Sequence, residues 1–257
     1  MSEIKGRFDA LCEKYRDWSR HGESIGTYKE KRLHVILKEL ACDSAECYEV
    51  KVGKYVADVF CDGEITEIQT GSFYPLRAKL SYYLAETDHR ITVIHPIIAS
   101  KRIIRIDAET GEVIRSRMSP RRVKSGEIFK ELSWVAEHLS NERLRIVILY
   151  VSADEYRYSD EAVRYRRSGR YDSELFPREL IGSEVFCGAG AYRELLRDCP
   201  EVFSAREFGA LRKMSGRELY ATLKLLCEIG ALSKRKRDSR TYEYLIEKTA
   251  FFETENR

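Results

Sequence analysis

The chain has 257 residues, 43% apolar and 34% charged, which excludes a disordered chain and leaves room for one large packed domain or two ordinary ones. Its net charge of only +3 excludes a global basic field, so any nucleic-acid contact must rest on local clusters. Seven scattered cysteines favour reduced thiols over a disulfide framework, and no run approaches the ~20 apolar residues that span a bilayer, so a soluble cytoplasmic protein with no membrane partner is expected.

Helical spacing of Ile4, Phe8, Leu11, Tyr15 and Trp18 predicts an N-terminal helix, broken by His21-Gly22-Glu23-Ser24. A second helix starts at Thr27, where Glu30 three residues on completes a capping-box pattern, and Leu33, Ile36, Leu37 and Leu40 form its buried stripe. Cys42 and Cys47 are spaced loosely for zinc and no matching Cys/His pair follows, which argues against a zinc site. A strand at 47–52 leads into YVADVFCDGEITEIQTG, two short strands joined by Asp62-Gly63, the strongest two-residue hairpin signal. Counting outward from that turn pairs Cys61 with Glu64, Phe60 with Ile65, Val59 with Thr66, and Asp58 with Glu67. Two carboxylates opposed on a partly apolar face either raise one pKa or hold a cation between them. Gln69 falls on the same face as Glu67.

Asp58 followed by Glu67-Ile68-Gln69 resembles the Asp…(Asp/Glu)-x-Lys signature of the PD-(D/E)xK nuclease superfamily, over about residues 27–151. The resemblance implies a restriction-endonuclease-like α/β fold, a mixed sheet flanked by helices. It implies Mg²⁺ or Mn²⁺ held by Asp58, Glu67 and the Ile68 carbonyl, with Glu30 as a further acid from the preceding helix; the same glutamate also suits a helix cap. Gln69 stands where the superfamily usually has lysine. In similar members that lack the strand lysine, a basic residue on the following helix points back at the metal, and Lys79 matches that position. A helical lysine of this kind is otherwise simply solvated.

That following helix carries Leu76, Leu80, Tyr83 and Leu84 on one face. The segment 91–98 reads as a doubly buried strand with His95 as a core histidine, and 101–107 as a separate strand nearer an edge. The basic, Pro-broken stretch 115–124 suits either phosphate contact or plain solvation. A helix at 127–139 and a last buried strand at 144–151 complete an alternating α/β pattern. Residues 153–185 read as a connector, whose Arg164-Tyr165-Arg166-Arg167 cluster could also stack on bases.

The tail, 186–257, predicts a short helix at 192–197, a helix at 205–213 capped by Ser204, and a helix opening on a Ser215-Gly216-Arg217-Glu218 capping box. A basic turn and an alternating strand at 241–246 follow. This order resembles a winged helix-turn-helix domain, which implies a DNA partner met by Arg217, Tyr220 and Lys224 on the third helix. Its wing would carry Lys234, Arg235, Lys236, Arg237 and Arg240 against a single acid, Asp238. The resemblance also allows a homodimer. The sequence therefore divides into an N-terminal helix (1–26), a nuclease-like domain (27–152), a connector (153–185) and a winged helix (186–257). The expected function is a metal-dependent DNA nuclease; the alternative is a DNA-binding transcriptional regulator that keeps the nuclease fold without its chemistry.

Overall fold

A computed structural model describes residues 2–16, 28–107, 109–120, 126–159, 172–238 and 241–247 of the chain. The predicted capping residue Thr27, the side chain of Glu30, Arg121, Arg122 and Lys124 of the basic stretch, the Arg164–Arg167 cluster and Arg240 lie outside the described residues.

Two amphipathic helices, α1 (Ser2–Lys14) and α2 (Tyr28–Ala41), turn Phe8, Leu11, Leu33, Ile36 and Leu37 into one shared apolar layer. That layer covers one face of a seven-stranded mixed sheet, meeting Ile68, Ile94, Leu149 and Val151. The strands are β1 (Tyr48–Val52), β2 (Tyr55–Cys61), β3 (Glu64–Ile68), β4 (Arg90–Asp107), β5 (Val113–Met118), β6 (Leu144–Ser159) and β7 (Asp172–Cys187). Their spatial order is β1-β2-β3-β4-β6-β7, with β5 on β4. β3–β4 and β4–β6 are parallel and the other pairs antiparallel. The crossovers that parallel pairing demands are α3 (Leu76–Glu86) and, before β6, α4 (Glu127–Leu132) with the 3-10 turn Ser133–His138. Both pack on the second face, around Ile65, Leu80, Tyr83, Val93, Leu132 and Ile146.

The β2–β3 turn is as expected, with Asp62 (φ 50°) and Gly63 (φ 77°) both left-handed. The ladder beyond it runs through Cys61–Glu64, Phe60–Ile65 and Val59–Thr66 and stops there. Three expectations need correction. The strands foreseen at 91–98 and 101–107 are one continuous β4, bent by an irregularity between Ile98 and Ser100. The helix foreseen at 127–139 becomes 3-10 after Leu132, where Val135 (φ −125°, ψ 19°) leaves helical geometry. Residues 153–185, read as connector, contain the far half of β6 and most of β7, paired from Arg145–Cys187 to Tyr158–Asp172.

The C-terminal part comprises α5 (Gly188–Arg193), a 3-10 turn at Glu194–Leu196, β8 (Val202–Ser204), α6 (Ala205–Arg212), α7 (Gly216–Glu228), β9 (Leu232–Lys236) and β10 (Tyr242–Ile246). Its sheet has the order β8-β10-β9. Ser204 and Glu207 form a complete capping box at α6. The box expected at Ser215 is not made, because Glu218 is diverted to the Gly126 amide, 3.0 Å away. α7 packs against α4 as well as α6, and buried apolar residues run without a break from the large sheet into this part. No helix among the described residues is long and apolar enough to cross a membrane.

Candidate functional site

Where the β2–β3 ladder stops, Asp58 takes over from backbone pairing. Its Oδ2 accepts the Ile68 amide at 2.7 Å, and His34 Nε2 of α2 lies 3.5 Å from the same oxygen. Asp58 therefore does not face Glu67 in a continuing ladder, but the two carboxylates remain close enough to perturb each other. Glu67, only 2% exposed, points to the α3 side of the sheet, where Lys79 Nζ meets its Oε2 at 2.6 Å. Its other oxygen, Oε1, and the nearby Tyr83 hydroxyl are both buried and make no well-formed hydrogen bond among the described residues, although the two groups are close enough to act on each other. The Tyr83 ring is fully buried, and its phenol is pushed up by burial first and by Glu67 next.

The two acids titrate in opposite directions for stated reasons. Burial pushes Glu67 up to about 7, more than Lys79 can offset, and the Asp58 charge adds to the rise. Burial also acts to raise Asp58, but His34 and the Ile68 amide outweigh it, so Asp58 lies below the usual carboxylate range. At neutral pH the site holds one firmly ionised acid beside one poised to lose or gain a proton.

Gln69 is not where a catalytic amide was expected. Its Nε2 donates to the Ser72 carbonyl, holding the loop between β3 and α3, while its backbone carbonyl accepts from His95 Nδ1 at 2.5 Å. His95 is buried, its pKa lowered by desolvation, and its ring packs on Phe73 at 5.2 Å. The expectation of a core histidine fits this setting. Lys79, for which a solvated position was the plainer reading, is an ion-pair partner of a buried acid. Sequence reasoning missed His34 and Tyr83; the one available signal was the four-residue spacing from Glu30 to His34 in the sequence.

A cleft of about 690 Å³ adjoins this region, between β4, α4 and α7. His95 lines it, together with Lys101, Lys130 and Arg217, against the acids Glu131 and Glu218. Of the helix residues foreseen as DNA contacts, Arg217 is exposed at its rim, Tyr220 is 60% exposed, and Lys224 pairs with Glu228 at 3.3 Å. The basic strand pair has more acid opposite it than foreseen. Glu243, directly across from Arg235, contacts Arg235 at 2.9 Å and Arg237 at 3.5 Å. Asp238 instead caps the turn through the Thr241 amide, and Lys234 sits 3.9 Å over the Tyr242 ring. Lys236 is exposed.

The family model described as "Domain of unknown function (DUF8091)" matches residues 31–186, the span from α2 through almost all of β7. An uncharacterized protein of Treponema pallidum (strain Nichols) is 30% identical over 185 residues, covering 70% of this chain and 71% of the relative. No solved structure matches.

Proposed function

This chain belongs to the family described as a domain of unknown function, DUF8091, and from that starting point we propose that it is a metal-dependent nuclease acting on DNA through the Asp58–Glu67–Lys79 site. The observation that carries this reading is the Lys79–Glu67 contact at 2.6 Å, which brings a cation from α3 to the acid whose own strand offers glutamine in the lysine position. The PD-(D/E)xK resemblance asks for two acids and one cation; Lys79 supports this reading as the cation at Glu67, with Gln69 left out, and Asp58 is near enough to feel both charges.

The residues also suit a divalent ion. Hard oxygen donors fit Mg²⁺ or Mn²⁺, and the buried Glu67 Oε1, which makes no well-formed hydrogen bond among the described residues, is the kind of atom that a cation would satisfy. Such an ion would polarise a scissile phosphate and acidify a bound water. Asp58, held ionised by His34 and the Ile68 amide, would bind it at all physiological pH. Glu67 would bind it in its ionised form, and Glu30 from α2 is a further candidate ligand. Lys79 contributes positive charge where the transferring phosphate develops negative charge, often the largest catalytic effect. Gln69, by fixing the loop through Ser72, keeps α3 and Lys79 in register with β3.

A winged helix-turn-helix reading of the C-terminal part is supported by its element sequence and by the strand order β8-β10-β9, which sets β9 and β10 together as a wing. In that reading DNA is gripped by Arg217, Tyr220, Lys224 and the basic strand pair, next to the cleft lined by Lys101 and Lys130. The alternative, a DNA-binding regulator without chemistry, draws on the engagement of the Gln69 amide with Ser72. The test is cleavage of plasmid and single-stranded DNA with Mg²⁺ or Mn²⁺. Wild type is expected to cut, while Asp58→Asn and Lys79→Ala fall by at least a hundredfold and still retard DNA in a gel. Equal cutting by wild type and Asp58→Asn would remove the nuclease assignment, and retardation without any cutting would leave the regulator.

A further inference from the structure

A second constellation lies at the end of β2: the spacing of Cys42 and Cys47 argues against a zinc site in the sequence, but the fold brings a third thiol, Cys61, beside them. Cys42 follows the last turn of α2, Cys47 ends the 3-10 turn Ala45–Cys47, and Cys61 ends β2 beside the Asp62-Gly63 turn. The three Sγ atoms all lie within 4.8 Å of one another, with Cys42 and Cys61 at 3.3 Å. All three are free thiols, and 3.3 Å is far longer than the ~2.05 Å of a disulfide. A tetrahedral zinc site with Zn–S of ~2.3 Å has sulfur–sulfur edges of about 3.8 Å. The Cys42–Cys61 spacing of 3.3 Å is slightly shorter than that edge, and the other two spacings are no more than 4.8 Å. Cys42 is buried, so one thiol is already withdrawn from solvent.

We propose that Cys42, Cys47 and Cys61 bind a single tetrahedral thiophilic cation of the Zn²⁺ class. The fourth position falls to Asp62 or to water. Asp62 Oδ2 is 3.6 Å from Cys61 Sγ, close to the sulfur–oxygen edge of about 3.6 Å that Zn–S ~2.3 Å and Zn–O ~2.1 Å give for a tetrahedron. Asp62 is exposed in a tight turn, so its carboxylate has room to swing toward the other two sulfurs. The surrounding chain is already fixed. The Tyr48 hydroxyl donates to the Cys42 carbonyl at 2.6 Å, and Arg7 of α1 pairs with Asp43. Two thiols of the α2–β1 connection and one at the end of β2 are thus gathered by braced backbone, which lowers the ordering cost of ligation.

The position gives the ion a role. It would clamp the C-terminal end of α2, which carries His34, to the hairpin that carries Asp58 and Glu67. The site differs chemically from the oxygen site proposed for Mg²⁺, so the two are separable: soft sulfur ligands select zinc-like metals and carboxylates select hard ones. Binding converts thiols to thiolates and releases protons, with no redox step.

The test uses the full-length protein, reduced and stripped of metal, titrated with Co²⁺ and then Zn²⁺. One equivalent of Co²⁺ per chain is expected to give intense thiolate-to-cobalt absorption with tetrahedral visible bands, displaced by one equivalent of Zn²⁺. Cys42→Ser, Cys47→Ser and Cys61→Ser should each lower affinity at least a hundredfold, while Cys187→Ser leaves it unchanged. Because a cysteine variant can misfold, the wild-type melting temperature is also measured: Zn²⁺ raises it and a chelator reverses the rise. Asp58→Asn should keep the cobalt spectrum while losing cleavage, which separates failure of this site from failure of the nuclease reading. Absence of thiolate-to-cobalt absorption in the reduced wild type, or bands that survive Cys61→Ser, would overturn the proposal. So would a Cys42–Cys61 disulfide that persists under reducing conditions.

Discussion

At the scale of single residues, Glu67 is where stability and the proposed function oppose each other. Its carboxyl is pushed up to about 7 from an ordinary value near 4.5, chiefly by burial. Between those two pH values the folded chain keeps a proton that the unfolded chain has released. Stability therefore falls as pH rises through that window, and the loss is complete above about 7. At about 1.4 kcal/mol per pKa unit the cost is on the order of a few kcal/mol. Asp58 works in the other direction: its lowered pKa stabilises the fold above the usual aspartate range, and that contribution is lost in acid. Glu67→Gln should thus match wild type in melting temperature at pH 5 and exceed it at pH 8 when no divalent ion is present. If Glu67 holds Mg²⁺ as proposed, adding the ion should raise the wild-type value more at pH 8 than at pH 6, because the ionised carboxylate would be the binding form, and should do little for the variant. Melting curves of the two proteins that run parallel from pH 5 to 8 would show that Glu67 does not titrate as described.

At the scale of elements, the hairpin was legible because its turn chemistry and its two-residue period are local, carried by Asp62-Gly63 and the alternating residues around them. Contacts made by rotating a helix against a sheet were not. His34 and Lys79 sit on different helices and on opposite covering layers, and nothing in the spacing of either helix says which way it turns over β2 and β3; Lys79 is singled out only by the resemblance, and His34 by nothing. The amide of Gln69 was misjudged for a related reason, since Ser72 takes it and the intervening loop path is not encoded in any period. Helix α3 also bears on the β1–β2 turn, where Gly53 has φ +61° and a Cβ would lie 2.1 Å from the Tyr82 hydroxyl. Tyr82 adjoins Tyr83, so this turn and the site share a wall. Gly63 has a similar φ of +77° but open space around it, which makes it the control for backbone strain alone. Gly63→Ala should cost about 1–3 kcal/mol from the left-handed conformation, and Gly53→Ala measurably more, because the ring must move as well. Urea midpoints of the two variants decide it; equal losses would mean that Tyr82 yields at no cost.

At the scale of the whole molecule, the boundary foreseen at 152 fell short because the far halves of β6 and β7 are rich in Tyr, Arg and acids and carry no apolar run. They are strands by virtue of β4 beside β6, a partner some fifty residues earlier in the chain. The C-terminal part is likewise tied in: Phe129 meets Phe186 at 5.8 Å, Phe186 stacks on Tyr192 at 5.3 Å, and α7 packs on α4. A DNA grip on α7 and the β9–β10 strands would therefore be held rigidly relative to the Asp58–Glu67 site, across the cleft lined by Lys101, Lys130 and Arg217. Its electrostatic share is measurable through salt. Each phosphate neutralised on duplex DNA contributes about 0.9 to the slope of log K against log salt. Replacing Lys234, Arg235, Lys236 and Arg237 together by alanine should flatten that slope by roughly 2 to 4, the lower figure applying if Glu243 keeps Arg235 and Arg237 engaged in the complex. Exposed ion pairs of that kind are worth ~1 kcal/mol or less, so a phosphate can compete for both arginines, and the upper half of the range is expected. Glu243→Gln, which frees them, should tighten binding at low salt. An unchanged slope in the fourfold variant would take the wing out of the interface and leave Arg217, Lys101 and Lys130 as the groups to replace next.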